Sequence, residues 1–506
     1  MNQGKGAATP AGSAEPVRLH NTMSRRLEPL RPLRAGEVGI YTCGPTVYDA
    51  PHIGNLRTFL FEDVLRRSLH LLGYRVTQVM NLTDVEDKII DGAHRAGQSI
   101  AEFTAPHVDE FFADLAALGI EPAEHYPRAT EHIDGMIELI EALIEQGYAY
   151  TAEGGVFFRI DRFERYGRLS GIDLSQVVRG ERVADDEYGK DDVRDFVLWK
   201  SAKPGEPSWP SPWGDGRPGW HIECSAMSRH FLGETFDIHC GGVDNIFPHH
   251  ENEIAQSECA HQAPFVRHWL HSEHLMVDGE KMSKSKGNMY RLADLRQRGA
   301  SLRALRYLFL SVHYRRKINF TDASLDAAGS ALRRLDELRF RLEHVAGGGP
   351  DSTADGDAGG EEARQSDDRA DATGFQEVLD ALRRDFRAAL ADDLNLSAGL
   401  AALFRFVKET NRRLEAGLET RQAAAALAAL AEVDRVLGVL DPEAWLEPTQ
   451  SAAAWLGDAE IEALVERRDA ARAERDWTEA DRLRDELSAA GVVLEDTPGG
   501  TLWRRS

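Results

Sequence analysis

The pattern of apolar and polar positions alternates between two periods over the first third of the chain. Short apolar runs at 38–42 and 74–82 predict buried strands, and apolar residues recurring every three or four positions at 56–72 and 100–118 predict helices. Strand, helix, strand, helix implies a parallel sheet with crossover helices, the doubly wound class. Between 133 and 212 the texture changes: 154–160 reads as hairpin strand, 182–190 is charged and turn-rich, and 196–200 resumes a strand before a loop of Pro, Gly and Trp. A turn into a helix at 219–227, a strand at 236–240, a Gly-Gly-x-Asp turn at 241–244 and a helix at 248–255 then restore the α/β pattern. The middle stretch is therefore expected to be an insertion into a split domain rather than a domain in series.

Further on, Asp278-Gly279 marks a hairpin turn, and from Ser301 a helix carries Leu305, Leu308, Phe309 and Val312 on one face. Long Ala/Leu/Arg helices at 375–440 predict a bundle, 461–487 a helical pair and 491–504 an alternating hairpin. The stretch 350–373 is rich in Asp, Glu, Gly and Ser and lacks apolar bulk, so it reads as a linker or disordered insert. Residues 1–16 read as a loose tail with neither a signal peptide nor a membrane anchor.

A chain of 506 residues with 42% apolar content can bury several cores. Cys43, Cys224, Cys240 and Cys259 have no framework spacing, so disulfides are not expected and a reducing cytoplasm is the default. The formal net charge of −24 excludes indiscriminate attraction to nucleic acid but leaves room for a local basic face. Arginine pairs such as Arg412-Arg413 are either that face or ordinary solvated helix surface.

Chemistry crowds into 40–59. A strand ends at Cys43, a Gly44-Pro45 turn follows, and His52-Ile53-Gly54-Asn55 opens a helix. Unpaired backbone N–H groups and the positive helix end then meet at one point, a ready site for phosphate. Cys43 could be a packing residue, a nucleophile or a metal ligand. Thr83, after the second strand, could touch a ligand beside Cys43, whereas Asp84 fits better as the cap of the next helix. The Gly241-Gly242-Val243-Asp244 turn allows close backbone approach at another strand end. The loop Lys281-Met282-Ser283-Lys284-Ser285 offers cations and small hydroxyls suited to phosphate, although lysines in a loop are usually plain surface charge.

His52-Ile53-Gly54-Asn55 and Lys281-Met282-Ser283-Lys284-Ser285, in this order on these elements, resemble the two signatures of class I aminoacyl-tRNA synthetases. The first departs from the usual form, with Asn55 where a second His commonly stands; an amide can donate to phosphate but cannot become cationic. Within the class, Tyr41 to Asp49, Gly219 to Ser225, Phe247 to Glu253 and the C-terminal 480–487 and 495–497 are similar to cysteinyl-tRNA synthetases, so the resemblance covers nearly the whole chain.

That resemblance implies a zinc ion on Cys43, Cys224, His249 and Glu253. The residue types fit independently, since Cys is a soft ligand and His249 and Glu253 lie four apart on a helix. Spacing leaves His249 and His250 equal, and the family match selects His249. A metalloprotease reading fails because Ile254 stands where its second His belongs. Cys240 and Cys259 read as packing. The resemblance further implies L-cysteine, ATP with Mg²⁺ and the tRNA for cysteine as partners, in a cytoplasmic enzyme, with monomer as the family expectation. A substrate thiol would bind zinc as thiolate and a serine hydroxyl would not, so rejection by ~10⁴-fold or more needs no proofreading. His52 and Asn55 would hold phosphate oxygens, Lys281 and Lys284 would neutralise the departing pyrophosphate, and Gly44, Gly54, Gly241, Gly242, Asp244 and Ser283 would line the ATP site. Trp220 would either close over the substrate or sit in the core. The implied layout is a tail (1–16), a split Rossmann-like catalytic domain (17–132 and 213–268), an inserted domain (133–212), the lysine loop and stem-contact region (269–320), a helical bundle with an acidic linker at 346–374 (321–448) and an anticodon-binding module (449–506) that includes Trp503 and Arg504. The competing readings are a cysteine ligase acting on an amino sugar and an inactive tRNA-binding or zinc-binding paralogue.

Overall fold

The computed structural model describes residues 16–172, 195–283, 286–347, 361–445, 457–490, 492–497 and 500–505. The tail to residue 15, the charged stretch 182–190, Lys284, Ser285 and 348–360 lie outside the described residues. Two compact units result, one formed by 1–328 with 385–400, the other by 329–384 with 401–506.

In the first unit, a short hairpin of β1 (Arg18–Asn21) and β2 (Arg26–Pro29) leads to β3 (Glu37–Thr42), α1 (Ile53–Leu71) and β4 (Arg75–Met80). Next come α2 (Asp87–Ala96), α3 (Ile100–Ala117) and α4 (Ile133–Glu145). An antiparallel sheet follows, built from β5 (Ala149–Ala152), β6 (Gly155–Phe158), β7 (Phe196–Ser201) and β8 (Gly216–Pro218). The α/β pattern resumes with α5 (Trp220–Leu232), β9 (Phe236–Gly242), α6 (Glu251–His261) and β10 (Val266–Ser272).

The central sheet is parallel with order β10-β9-β3-β4, and register pairs Thr42 with both Met80 and Cys240. From β3 the chain winds to β4 in one direction, and from β9 to β10 in the other. The strand order therefore reverses between β3 and β9, where open α/β sheets bind their ligands at the carboxyl ends. One face packs Ile40, Ile238, Cys240 and Leu270 against Phe61, Leu65 and Leu69 of α1. The other packs Tyr41, Val79 and Phe236 with Met136, Leu139 and Ile140 of α4 and with Ile222 and Ile254 of α5 and α6. The fold is thus the expected doubly wound α/β class.

Beyond the sheet, β11 (Leu275–Val277) and β12 (Glu280–Lys281) form a hairpin about Asp278 and Gly279, whose φ values of 49° and 80° suit a primed two-residue turn. After α7 (Leu292–Gln297) and α8 (Leu302–Ser311), β13 (Ile318–Phe320) pairs parallel with β11. Val312 is extended rather than helical, so it leaves the predicted helix face.

The second unit takes most of α9 (Asp322–Ala346), α10 (Glu361–Ala391) and α11 (Leu396–Glu415), and all of α12 (Thr420–Leu437). Leu338, Leu342, Phe375, Leu379, Leu403, Phe406, Val433 and Leu437 are buried. The linker reading at 350–373 is corrected from Glu361 onward, where the backbone is helical. Extending a packed helix adds one bond per residue without a new nucleus, so a polar stretch can continue it. At the C-terminus, α13 (Asp458–Ala473) and α14 (Trp477–Ala489) pack with β14 (Val492–Thr497) and β15 (Gly500–Arg505) around Ile461, Val465 and Leu487. Trp503 is partly buried against that core. Among the described residues, no helix is long and apolar enough to cross a membrane.

Candidate active site

Cys43, Asn81 to Thr83, Gly241 and Ser272 all stand at or just past the carboxyl ends of the parallel strands. Gly44 fits there for lack of a side chain, since a β-carbon would overlap the Asn81 carbonyl. Its N–H donates to Asn81 Oδ1 at 3.0 Å. Thr83 is buried, and its hydroxyl donates to Glu223 at 3.1 Å while accepting from the Asn81 amide. The capping reading of Asp84 is corrected: Glu86 caps α2, and Asp84 accepts from the N–H and hydroxyl of Thr130, at 3.0 and 2.7 Å. Those two bonds tie the strand end to the 3-10 turn at Ala129–Glu131, just before α4.

His52 is the N-cap of α1. Its Nδ1 accepts from Gly54 N and Asn55 N, both at 3.1 Å, while Asn55 Oδ1 accepts from His52 N at 3.2 Å. This is a reciprocal capping box made from His and Asn. A ring nitrogen that accepts two N–H groups carries no proton, which assigns the imidazole hydrogen to Nε2. Gly54 faces Met282, whose Cε lies 2.5 Å from where a β-carbon would stand. The two signature stretches therefore touch. Ile53 N donates to Tyr290 O at 2.9 Å, attaching the helix start to the far side of the lysine loop as well. Within that loop, Lys281 Nζ lies 3.3 Å from Asp244 Oδ1, and the other carboxylate oxygen faces His274 Nδ1 at 3.2 Å. Ser283 N donates to Asn288 Oδ1 at 2.9 Å.

Gly241 and Gly242 continue β9 with extended backbone instead of forming the expected turn, which begins at Val243. Gly241 is required by packing, because a β-carbon would come within 2.9 Å of the His250 ring. The predicted helix at 248–255 is interrupted: Phe247 is extended, the Phe247-Pro248 peptide is cis, and regular α-helix begins at Glu251. His249 and Glu253 nevertheless share a face, with His249 Nε2 3.0 Å from Glu253 Oε1.

Cys43, Cys224, His249 and Glu253 bring one ligand atom each to within 4.8 Å of one another, so all four proposed zinc ligands converge. A second set of His239, His250, Cys43 and Glu253 overlaps it. The first holds two sulfurs, the softer donor set and the better match to zinc. Glu253 Oε1 is fully buried and, among the described residues, meets His249 Nε2 at 3.0 Å without an aligned hydrogen bond. Burial would raise the Glu253 carboxyl, yet His239 and His249 hold it at about 2. Burial would lower His249, yet Glu253 and Cys224 push it up to about 10. The hydrogen bond with Cys43 draws the Cys224 thiol down to about 6, opposing its burial, while Cys43 is raised by the same bond and by burial. The same directions leave a proton on His249 and on Cys43, so a cation held by all four groups would take the place of those two protons. Cys240 and Cys259 are buried and free, in keeping with packing.

Around this cluster the structure adds residues that spacing could not locate. His250 Nε2 faces Cys43 Sγ at 3.2 Å and its Nδ1 faces His271, which in turn meets the Thr22 hydroxyl, both at 2.8 Å. His239 Nε2 binds Glu253 Oε2 at 2.9 Å, and His221 touches His249. Trp220 is 44% exposed with its ring centroid 4.4 Å from that of His249, which rules out the core reading and puts an aromatic wall beside the Cys/His/Glu cluster.

Three family patterns match the chain: "tRNA synthetases class I (C) catalytic domain" over residues 29–330, "DALR domain" over 385–441 and "Cysteinyl-tRNA ligase anticodon binding domain" over 457–504. The cysteine–tRNA ligase of Symbiobacterium thermophilum is 45% identical over 97% of this chain and 100% of its own length. The chain belongs to the cysteine–tRNA ligase family of class I aminoacyl-tRNA synthetases. Another relative, the cysteine–tRNA ligase of Halorhodospira halophila, is 46% identical over 97% of this chain and 100% of its own length. At the level of fold, Mycobacterium tuberculosis methionyl-tRNA synthetase in complex with methionyl-adenylate aligns over 80% of this chain and 90% of its own, with a TM-score of 0.56 and 16% identity. A match to this ligase family from the catalytic half through the C-terminal module gives no support to the amino-sugar ligase or to an inactive paralogue.

Proposed function

We propose that the chain activates L-cysteine with ATP and transfers it to the 3′-terminal ribose of its cognate tRNA. The observation that carries this reading is the contact of Gly54 with Met282 at the reversal point of the sheet, beside a cluster whose chemistry suits a thiol. In the first step the cysteine carboxylate attacks the α-phosphorus of ATP in line, a new P–O bond forms, and the bond to the β-phosphate breaks to release pyrophosphate. The carboxylate is already ionised, so no general base is needed and catalysis rests on positioning and charge stabilisation.

The roles follow from position. Gly44, His52, Gly54 and Asn55 bring the helix start to the phosphates, with the His52 Nε2 hydrogen as a donor. Lys281 and Ser283, joined by Lys284, neutralise and position the departing pyrophosphate, whose charge Mg²⁺ accompanying ATP also screens. Gly241, Gly242 and Asp244 line the adenosine side. Cys43, Cys224, His249 and Glu253 would hold zinc, which when bound supplies a Lewis acid that takes the substrate sulfur as thiolate. Trp220 walls the amino acid from solvent, and Thr83 acts from behind, fixing Glu223 next to Cys224. In the second step the terminal tRNA hydroxyl attacks the acyl carbon and AMP leaves. The helices after residue 328 and the C-terminal module supply the tRNA-reading surface.

The test is cysteine-dependent exchange of pyrophosphate into ATP by metal-loaded protein, followed by charging of tRNA. Exchange with cysteine and none with serine or alanine is the expected result. No exchange with cysteine would sink the reading.

A further inference from the structure

Arg57, on α1 and five residues beyond the His52 cap, is 3% exposed. Among the described residues its guanidinium donates to backbone carbonyls alone, with the Glu273 carboxylate acting on it through space. Nη1 reaches Glu273 O and His274 O, the latter at 2.7 Å, where the chain leaves β10 for β11. Nη2 reaches Arg316 O and, at 3.5 Å, Tyr314 O, just before β13. Burial pulls the guanidinium down to about 10, which still leaves it charged at neutral pH. Its neighbour Thr58 shares a hydrogen bond with Ser272 at 2.8 Å. Glu273 N donates to Tyr314 O at 2.8 Å, so the two segments gripped by Arg57 are also bonded to each other. These segments are the roots of β11, which opens the hairpin with Lys281, and of its partner strand β13. Tyr314 and Arg315 are held from their other side by Asp393, at 2.7 Å from the Tyr314 hydroxyl and from Arg315 Nε.

We propose that Arg57 is a positioning residue for the first step: it fastens the roots of β11 and of its partner strand β13 to the helix that starts at His52, and so sets where Lys281, on the hairpin that β11 opens, stands over the phosphate site. The proposal rests on the roles given above to His52 and Lys281. A buried fork that spans four carbonyls on two segments has no equivalent in lysine, which presents one flexible ammonium with three donors. The chain therefore keeps a buried charge at α1 where an apolar residue would satisfy packing alone.

The experiment uses the full-length, zinc-loaded chain with Arg57→Lys, Lys281→Ala and the double variant. Expected in Arg57→Lys are a fall of tenfold or more in kcat for cysteine-dependent exchange, KM for cysteine within twofold of the parent, and unchanged zinc content. In the double variant the loss should not exceed that of Lys281→Ala, because the arginine acts through the lysine. Multiplying losses, or a parental kcat in Arg57→Lys, would overturn the proposal. Hydrogen–deuterium exchange gives a readout independent of activity: amides of 274–283 should exchange several-fold faster in Arg57→Lys while those of β3 and β4 do not change, and unchanged protection at 274–283 overturns the proposal even if the parent shows no exchange of pyrophosphate. That last finding would fail the functional reading separately. Should Arg57→Lys not fold, Thr58→Val removes the Thr58–Ser272 bond alone and carries the same cycle, with a smaller loss of the same non-additive kind expected and a multiplying loss decisive against it.

Discussion

Met282 Cε occupies the space a β-carbon on Gly54 would need, at 2.5 Å from it. Gly54 lies in the first turn of α1, where alanine is favoured over glycine by about 1 kcal/mol in intrinsic helix propensity. Gly54→Ala should leave thermal stability near the parent value and cut kcat/KM for ATP by about tenfold or more, equivalent to about 1.4 kcal/mol in the transition state. Adding Met282→Ala should recover part of that loss by restoring space. Steady-state exchange kinetics on both variants measure it.

Cys224 is one of two sulfurs in the convergent set, and serine cannot replace a thiolate as a soft donor. Cys224→Ser should lose stoichiometric zinc on dialysis and lose cysteine activation with it. Cys240→Ser and Cys259→Ser should keep one zinc per chain, because those thiols lie outside the set. Metal analysis after gel filtration separates the two outcomes.

Lys281 is held by Asp244 at 3.3 Å on an exposed hairpin, and both side chains of that pair are exposed. Lys281→Ala should therefore leave the unfolding midpoint unchanged while reducing kcat of exchange by roughly 10²–10³, the usual scale for removing one group that stabilises developing charge. KM for cysteine should move little, since the thiol is recognised elsewhere. A large stability loss would contradict the exposed placement.

Glu62, in the middle of α1, is fully buried, and neither carboxylate oxygen has a hydrogen-bond partner among the described residues. Burial raises its pKa well above the ordinary glutamate range. The folded chain then holds the proton more tightly than the unfolded chain, so stability is fully present at acid pH and falls as pH rises from the unfolded value toward the raised one. Glu62→Met should stabilise the fold by roughly 1–3 kcal/mol at neutral pH, the scale of an unsatisfied buried polar group, and should flatten the pH dependence. Urea unfolding at pH 5 and pH 8 shows both effects.

Much of the fold was legible because its strands and helices keep distinct periods. The helix at α1, the strands β3, β4 and β9 and the C-terminal hairpin fall where apolar spacing puts them. The N-terminal hairpin was not legible, since Arg18–Asn21 and Arg26–Pro29 are four-residue strands with little alternation. The sequence suggests only that His52 and Asn55 hold phosphate oxygens; their mutual cap is not legible there because capping boxes are usually sought as Ser or Thr with Glu or Gln. The four converging ligands came from family resemblance together with His249–Glu253 spacing. His239, His250 and His271 came from neither, because their approach depends on the lateral order of β9, β10 and the interrupted turn before α6, which no local pattern encodes.

The cap at His52 also bears on how the helix start meets an anion. Two of the N–H groups that usually attract free sulfate or phosphate are already satisfied by the imidazole. With Nδ1 held by the cap, the hydrogen left on the ring is the one on Nε2. Under the proposed reading the helix end therefore meets a phosphate through the imidazole rather than through those two N–H groups, and the cap fixes which ring nitrogen does the donating.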